Sequence, residues 1–503
     1  MLRAPAGGAL TPLKFEGTHM GGQDMQDSST GTAAPELKRT LGPWQLIAVG
    51  IGAIIGAGIF VITGKAAAEF AGPAVTISFV IAGVGCLFAG LCYAELAAMI
   101  PQSGSAYTYA YAAFGRFAAW IIGWDLLLEY GMSAGAVSVG WSGYLGSVMA
   151  KLGMPFPEAL SKAPVAFDSG GHFILTGAIV NLPAVAIVAV LTAFLVVGVR
   201  ASASANGLMV LVKIAVVLLV IIFGLPLINQ ANLVPFVPEN SGEFGEFGWS
   251  GVLRAAGVVF FAYIGFDAVS AAAQEARNPQ RDLPIGILGS LAICTALYIL
   301  MSLTMVGLAP YPTLNVENPV TIAIQAAGPQ LKWLEWIVDV GAVAGLTTVI
   351  LVSLYGQTRI FYSMARDGML PSVFASVHPT YNTPARGTIL VGIFAAFLGG
   401  VFPIDILGEL VSIGTLLAFV LVCLAVIVLR VQRPDVPRPF KTPFSPITPI
   451  LGIIVCGAMM YGLPGDTWIR LGLWFGVGIL IFALYGVRHA KQPVWTLWDD
   501  AKK

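Results

Sequence analysis

About twelve apolar stretches recur along this chain of 503 residues, and no other feature constrains its fold as strongly. A bilayer core needs about 20 apolar residues per helix. The stretches run near 42–64, 74–100, 117–149, 173–198, 206–228, 251–275, 284–308, 333–364, 386–402, 405–430, 447–464 and 468–488. The third is long enough to tilt, or to bend near Gly131 or Gly135. No connecting loop is long enough to hold a soluble domain, so function must sit within the helix bundle. Charged residues make up only 10% of the chain, against roughly 25% in a soluble domain. A soluble enzyme, a disordered scaffold and a disulfide-stapled secreted fold are thereby excluded. Twenty-six basic residues balance 26 acidic ones, so no nucleic acid or other polyanionic partner is implied. The expected class is an all-α integral membrane protein whose main partner is the lipid bilayer.

Residues 1–37 lack the apolar core of a signal peptide and read as a disordered cytoplasmic tail. Met20 is a candidate for a natural start. Residues 38–490 form the transmembrane domain, and 491–503 a short C-terminal tail. Cys86, Cys92, Cys294, Cys423 and Cys456 all lie in apolar runs without a pairing pattern, as small buried hydrophobes do. The four histidines (His19, His172, His378 and His489) fall in polar stretches with no metal-ligand spacing.

Basic residues set the orientation. One set of alternating loops holds Lys38, Arg39, Arg116, Arg200, Arg277, Arg281, Arg366, Arg386, Arg433, Arg438, Lys441 and Lys491. The other holds only Lys65, Lys151, Lys162, Lys332 and Arg470, and its 229–250 loop carries Glu239, Glu243 and Glu246. Both termini are therefore expected in the cytoplasm of a multi-pass cell-membrane protein.

The first stretch places Gly50, Gly52, Gly56 and Gly58 within nine residues, where each costs about 1 kcal/mol in a helix. Such clustering suggests a broken helix, tolerable in lipid only where the freed backbone lines a cavity. The N–H groups from Gly58 onward would then form an anion site. The competing structural reading is a small-residue packing face, Gly52 to Gly56. The sixth stretch, Phe260-Phe261-Ala262-Tyr263-Ile264-Gly265-Phe266-Asp267, is interrupted in the same way five spans later. Irregular spans in corresponding positions of two halves point to a transporter built from inverted repeats. The repeats would cover about 40–230 and 250–432, with extra helices at about 447–488. Gly58 to Gly64-Lys65-Ala66 superficially resembles a Walker loop, but the spacing is one residue too long and Ala66 replaces the Ser/Thr. Any pumping must therefore use an ion gradient or exchange.

Ionisable groups at membrane depth are costly and default to functional hypotheses. Lys213 lies near the middle of the fifth stretch, as a proton carrier, a fixed cation where another transporter would hold sodium, or a structural or snorkelling lysine. Asp125 and Glu129 lie one turn apart in the third, with Glu129 the deeper. Glu95, Asp267 and Asp339 are weaker candidates, read first as interhelical hydrogen-bonding acids.

At these residues the chain resembles a known family. Ile51-Gly-Ala-Ile-Ile-Gly-Ala-Gly-Ile-Phe60 looks like the first-helix signature of amino acid permeases. More specific are Pro101 to Tyr109, Phe260 to Asp267 running on through Gln274 to Pro284, and Tyr355 to Pro371. Together they are similar to the cationic amino acid transporter family of the amino acid–polyamine–organocation superfamily, over about residues 36–490. The resemblance implies a leucine-transporter-type fold with twelve helices, an inverted five-helix repeat, and broken helices 1 and 6. It also implies alternating access and proton-linked uptake or exchange of amino acids. By position, Gly56, Ala57 and Gly58 would hold the substrate carboxylate, with Ile54 beside them. The carbonyls of Ala262 and Ile264 would hold the α-amino group, and Phe261 would gate. Glu129 and Lys213 match the family's proton-coupling acid and lysine, Glu129 also touching the substrate amine. Lys213 in place of a sodium ligand argues against sodium coupling. Ser353 matches a side-chain pocket position that is methionine in some bacterial relatives, which leaves cationic and bulky neutral amino acids both open.

The expected protein is thus a non-enzymatic secondary transporter of amino acids, functional as a monomer, with no cofactor or metal and a proton gradient as driving force. A polyamine carrier would leave the Gly56–Gly58 anion site unused. A channel would not need paired carboxylate and amine sites. A membrane sensor would need an output domain, and none is visible.

Overall fold

The computed structural model describes residues 41–101, 105–167, 173–198 and 203–489. Both expected tails lie outside them, as do His19, His172, Lys38, Arg39, Arg200, Lys491 and positions 102–104 of the Pro101–Tyr109 motif.

The described residues are mostly helical. Seven helical runs are long and apolar enough to cross a membrane: Gly58–Met99, Gly207–Leu227, Gly248–Ser270, Pro279–Leu308, Pro329–Arg366, Ile404–Gln432 and Gly465–His489. Four shorter apolar helices accompany them, Pro43–Ile54, Leu182–Val197, Ala385–Val401 and Ile447–Gly462. The first long run is divided at Gly72, whose φ of 58° turns the chain ahead of Pro73. A left-handed residue costs glycine nothing, and proline then starts the next turn.

Local chemistry sets the helix boundaries. The fourth apolar stretch was expected from about 173, but the helix begins at Leu182. Asn181 accepts from the Ala184 N–H at 3.2 Å and Pro183 fills the first turn, which fixes the start there. Residues 173–175 instead pair antiparallel with 165–167 in a small hairpin that apolar periodicity does not reveal. The seventh helix starts at Pro279, five residues earlier than its apolar run, because its polar first turn is capped. Asp282 accepts from the Asn278 N–H at 3.1 Å. The bend expected in the third stretch is a π-helical turn, Leu127–Met132, set between Arg116–Leu126 and Ser133–Lys151. Such a turn inserts one residue and is common at functional sites.

Two of the buried acids are structural ties. Glu95, 1% exposed, accepts from Arg430 at 3.0 and 2.6 Å and from the Thr442 N–H at 2.7 Å. Asp339 accepts from Ser147 at 2.6 Å, Lys151 at 2.8 Å and Thr321. Each is fully paired, as a buried charge must be. All five cysteines are free and buried.

Glycines let the helices meet closely. The α-carbon of Gly251 sits where an added methyl would strike the Phe70 carbonyl, whereas Gly472 faces open space. Gly251→Ala should therefore destabilise the protein by about 1–3 kcal/mol through overpacking, with Gly472→Ala unchanged. The thermal midpoint of the detergent-solubilised protein, followed by size-exclusion chromatography, checks this.

Candidate functional site

The first helix ends at Ile54, and the backbone turns extended at Ile55 (φ −71°, ψ 104°) before helical structure resumes at Gly58. The sixth run changes at Phe260–Tyr263 into a 3₁₀ turn and opens at Ile264 and Gly265, whose φ is 117°. The two interruptions lie against one another. A methyl at Gly58 would strike the Ala262 backbone, and one at Gly265 would come within 2.9 Å of the Ala53 carbonyl. Only glycine permits both approaches, and the extended backbone at Ile55 decides between the two readings of the glycine cluster in favour of a break.

Where the interruptions meet, a cavity of about 30 Å³ is enclosed by Ile54, Gly56, Ala57, Gly58, Glu129, Phe261, Ile264 and Ser353, with Ser133, Val137, Val349 and Val352 among its other walls. That volume is the room of a few water molecules. The first N–H groups of a helix lack helical acceptors and carry its positive dipole end, and Gly56, Ala57 and Gly58 stand on the lining where the second half-helix begins. The site thus offers backbone donors on one wall and a carboxyl group on another.

Two anticipated residues are placed elsewhere. Ala262 stands behind the lining, and its carbonyl is engaged. Tyr298 donates to Ala262 O at 3.0 Å and lies 2.8 Å from Ile54 O, so one hydroxyl joins the last carbonyls of both half-helices. Lys213, 1% exposed, does not line the cavity. Its Nζ donates to Gly52 O at 2.7 Å, a cation at the C-terminal end of the first half-helix. It meets the cavity only through the helix that forms one of its walls.

Glu129 reaches the cavity from the π-helical turn and is 2% exposed, with neither oxygen hydrogen-bonded to a conventional donor. Its neighbour is Asp267, within hydrogen-bonding reach. Asp267 also accepts from Tyr130 at 2.8 Å and Ser105 at 3.4 Å. Asp125 stays apart from this pair, its Oδ1 buried without a partner. Tyr298, Tyr130 and Ser105 escape a search confined to glycines and charges; of the three, only Ser105 lies in one of the family-like motifs, Pro101 to Tyr109.

Outside the cavity, the second half-helix is held by charge. Lys65 pairs with Asp405 and lies 3.4 Å from Glu69, which accepts from Asn315 at 3.0 Å. The lysine of the Walker-like stretch is thereby accounted for.

Comparison with known proteins fits this geometry. Residues 41–487 match the amino acid permease family. The chain is 47% identical over 470 residues to the branched-chain amino acid permease BcaP of Bacillus subtilis, covering 93% of this chain and 97% of that one. It is 44% identical over 466 residues to the methylthioribose transporter of the same organism, with the same coverage. Human cationic amino acid transporter 4 is 36% identical over 425 residues, 84% of this chain and 64% of the human protein. These relatives are carriers rather than enzymes, and since the match takes in both interrupted helices and every wall of the cavity, the chain belongs to the amino acid permease family.

Proposed function

We propose that this permease is a proton-coupled secondary carrier of neutral amino acids, working by alternating access. The observation that carries the proposal is the meeting of two interrupted helices at one cavity. One wall presents unpaired N–H groups suited to a carboxylate, and the opposite wall presents Glu129 suited to an amine. A zwitterion satisfies both at once. The side-chain wall is formed by Val137, Val349, Val352 and Ser353, and among the described residues Glu129 is the only acid lining the cavity. With Glu129 committed to the amine and the proton, nothing remains for a distal ammonium or guanidinium. This supports an aliphatic substrate, in line with the BcaP relative.

In this reading twelve spans form a leucine-transporter-type inverted repeat, the termini are cytoplasmic, and the monomer suffices. Rocking of the broken helices exposes the cavity to each side in turn. Protonated Lys213 holds Gly52 O and so the first half-helix; losing that proton loosens the hold and biases opening. Entry from outside requires the Lys65–Asp405 pair to part.

Purified protein in liposomes tests the reading. Labelled leucine, valine, alanine, arginine, putrescine and methylthioribose are compared with and without an inward proton gradient. Leucine or valine should accumulate with the gradient and without sodium; sodium-dependent uptake indifferent to protons would sink the proposal. Gly56→Leu should lower uptake about tenfold or more by filling the cavity, measured as initial rate per folded protein. Ser353→Met should shift preference from leucine towards alanine by about tenfold in kcat/KM, the worth of a few methylenes. Lys213→Met should leave uptake that no longer responds to the gradient.

A further inference from the structure

The loop between the helices Ile404–Gln432 and Ile447–Gly462 takes no part in the cavity or the interruptions. We propose that residues 430–447 form a docking surface for an anionic glycerophospholipid, Arg433 and Lys441 meeting its phosphate and Val431, Phe444 and Ile447 its acyl chains.

Three observations carry it. The first is an excess of positive charge. Arg430, Arg433, Arg438 and Lys441 stand against one acid of the segment, Asp435. The neighbouring basic loops are balanced or nearly so: Arg277 and Arg281 lie between Glu275 and Asp282, and Asp367 follows Arg366. The fold gathers the four basic residues. Arg430 donates to Glu95 at 3.0 and 2.6 Å, and Arg438 Nε lies 3.4 Å from the same carboxylate. One carboxylate thus serves two guanidinium groups. Arg430 also donates to Thr442 O at 3.1 Å, which places Lys441 next in the chain, and Arg438 donates to Arg433 O at 2.9 Å. Four basic residues against Glu95 and Asp435 leave an excess of two positive charges. The loop directly continues one apolar helix and leads into another, so this excess sits at the membrane surface, where it attracts anionic headgroups.

The second is apolar surface beside the charge. Phe444 is 83% exposed and Val431 77%. In sequence they flank Arg433 and Lys441, both of which are also exposed. Ile447 follows, and with Ile450 and Ile454 it makes an exposed apolar strip at helical spacing along Ile447–Gly462. A free phosphate would offset the charges and leave these groups in water. A zwitterionic lipid would cover them and leave the charge excess. An anionic lipid does both.

The third is preorganisation. Phe444 has φ 51°, a conformation that costs glycine nothing and a bulky residue much. Its carbonyl accepts from the Ile447 N–H at 2.8 Å, so this backbone starts the next helix. Glycine would do that without strain and without putting a ring outside the protein. Thr442 ties the loop down, its N–H donating to Glu95 at 2.7 Å and its hydroxyl to Leu91 O at 3.1 Å. Pro434, Pro437, Pro439, Pro443 and Pro446 restrict the rest of the backbone, so docking a lipid orders little that is not already ordered.

The test reads binding without substrate, so it does not depend on what the protein carries. Detergent-solubilised full-length protein is titrated with phosphatidylglycerol, phosphatidylcholine or inorganic phosphate. Bound lipid is counted by native mass spectrometry, and the thermal midpoint is followed in parallel. Phosphatidylglycerol should bind and raise the midpoint, and the other two should do neither at the same concentration. Arg433→Gln and Lys441→Gln should each weaken phosphatidylglycerol about fivefold, and the pair together more. Phe444→Gly, which keeps the backbone and removes the ring, should weaken it by a similar factor. The charge-conserving pair Arg433→Lys with Lys441→Arg should retain wild-type binding. Equal binding of phosphatidylcholine would reduce the surface to ordinary lipid contact and overturn the proposal. An equal rise with inorganic phosphate would assign the charges to a soluble anion and overturn it too. Undiminished phosphatidylglycerol binding in the Arg433→Gln, Lys441→Gln pair would place the lipid elsewhere.

Discussion

Peptide groups released from a helix at membrane depth must find partners within the protein, because lipid supplies none. The rest of this structure is arranged around that requirement. Tyr298 serves the carbonyl of Ala262 and reaches that of Ile54, Lys213 serves that of Gly52, and Gly58 and Gly265 bring the two interruptions into contact. In the proposed reading this liability of the fold serves recognition, and the partners that limit it govern how the half-helices move.

Much of this is legible in the sequence, for a physical reason. Four glycines within nine residues are too costly for an ordinary span, so Gly56 and Gly58 announce the break without reference to any fold. The charge at Lys213 is equally conspicuous in an apolar run. Their partners are not conspicuous. Tyr298 is an ordinary aromatic residue of a long helix, and only the folded chain brings its hydroxyl to two carbonyls 36 and 244 residues away. The pairing of 165–167 with 173–175 and the early start of Pro279–Leu308 are not legible because capping and pairing, not hydropathy, decide them.

The acids show where composition stops being informative. Glu95, Asp339, Glu129 and Asp267 are all essentially buried. Glu95 and Asp339 are met by arginine, lysine or hydroxyl donors and fasten helices together. Glu129 lies beside another acid, and neither of its oxygens is hydrogen-bonded. Burial is common to all four, and the partners distinguish them.

The mutual contact of the two interruptions has a wider consequence. Main-chain atoms carry no sequence identity, and with glycine required at Gly58 and Gly265 that part of the pocket can barely be altered by substitution. Variation is left to the opposite wall, where Val137, Val349, Val352 and Ser353 stand on other helices. A lineage built on this plan can change the size and chemistry of its cargo without touching its hinge. Relatives named for branched-chain amino acids, cationic amino acids and methylthioribose are what such a division of labour would produce.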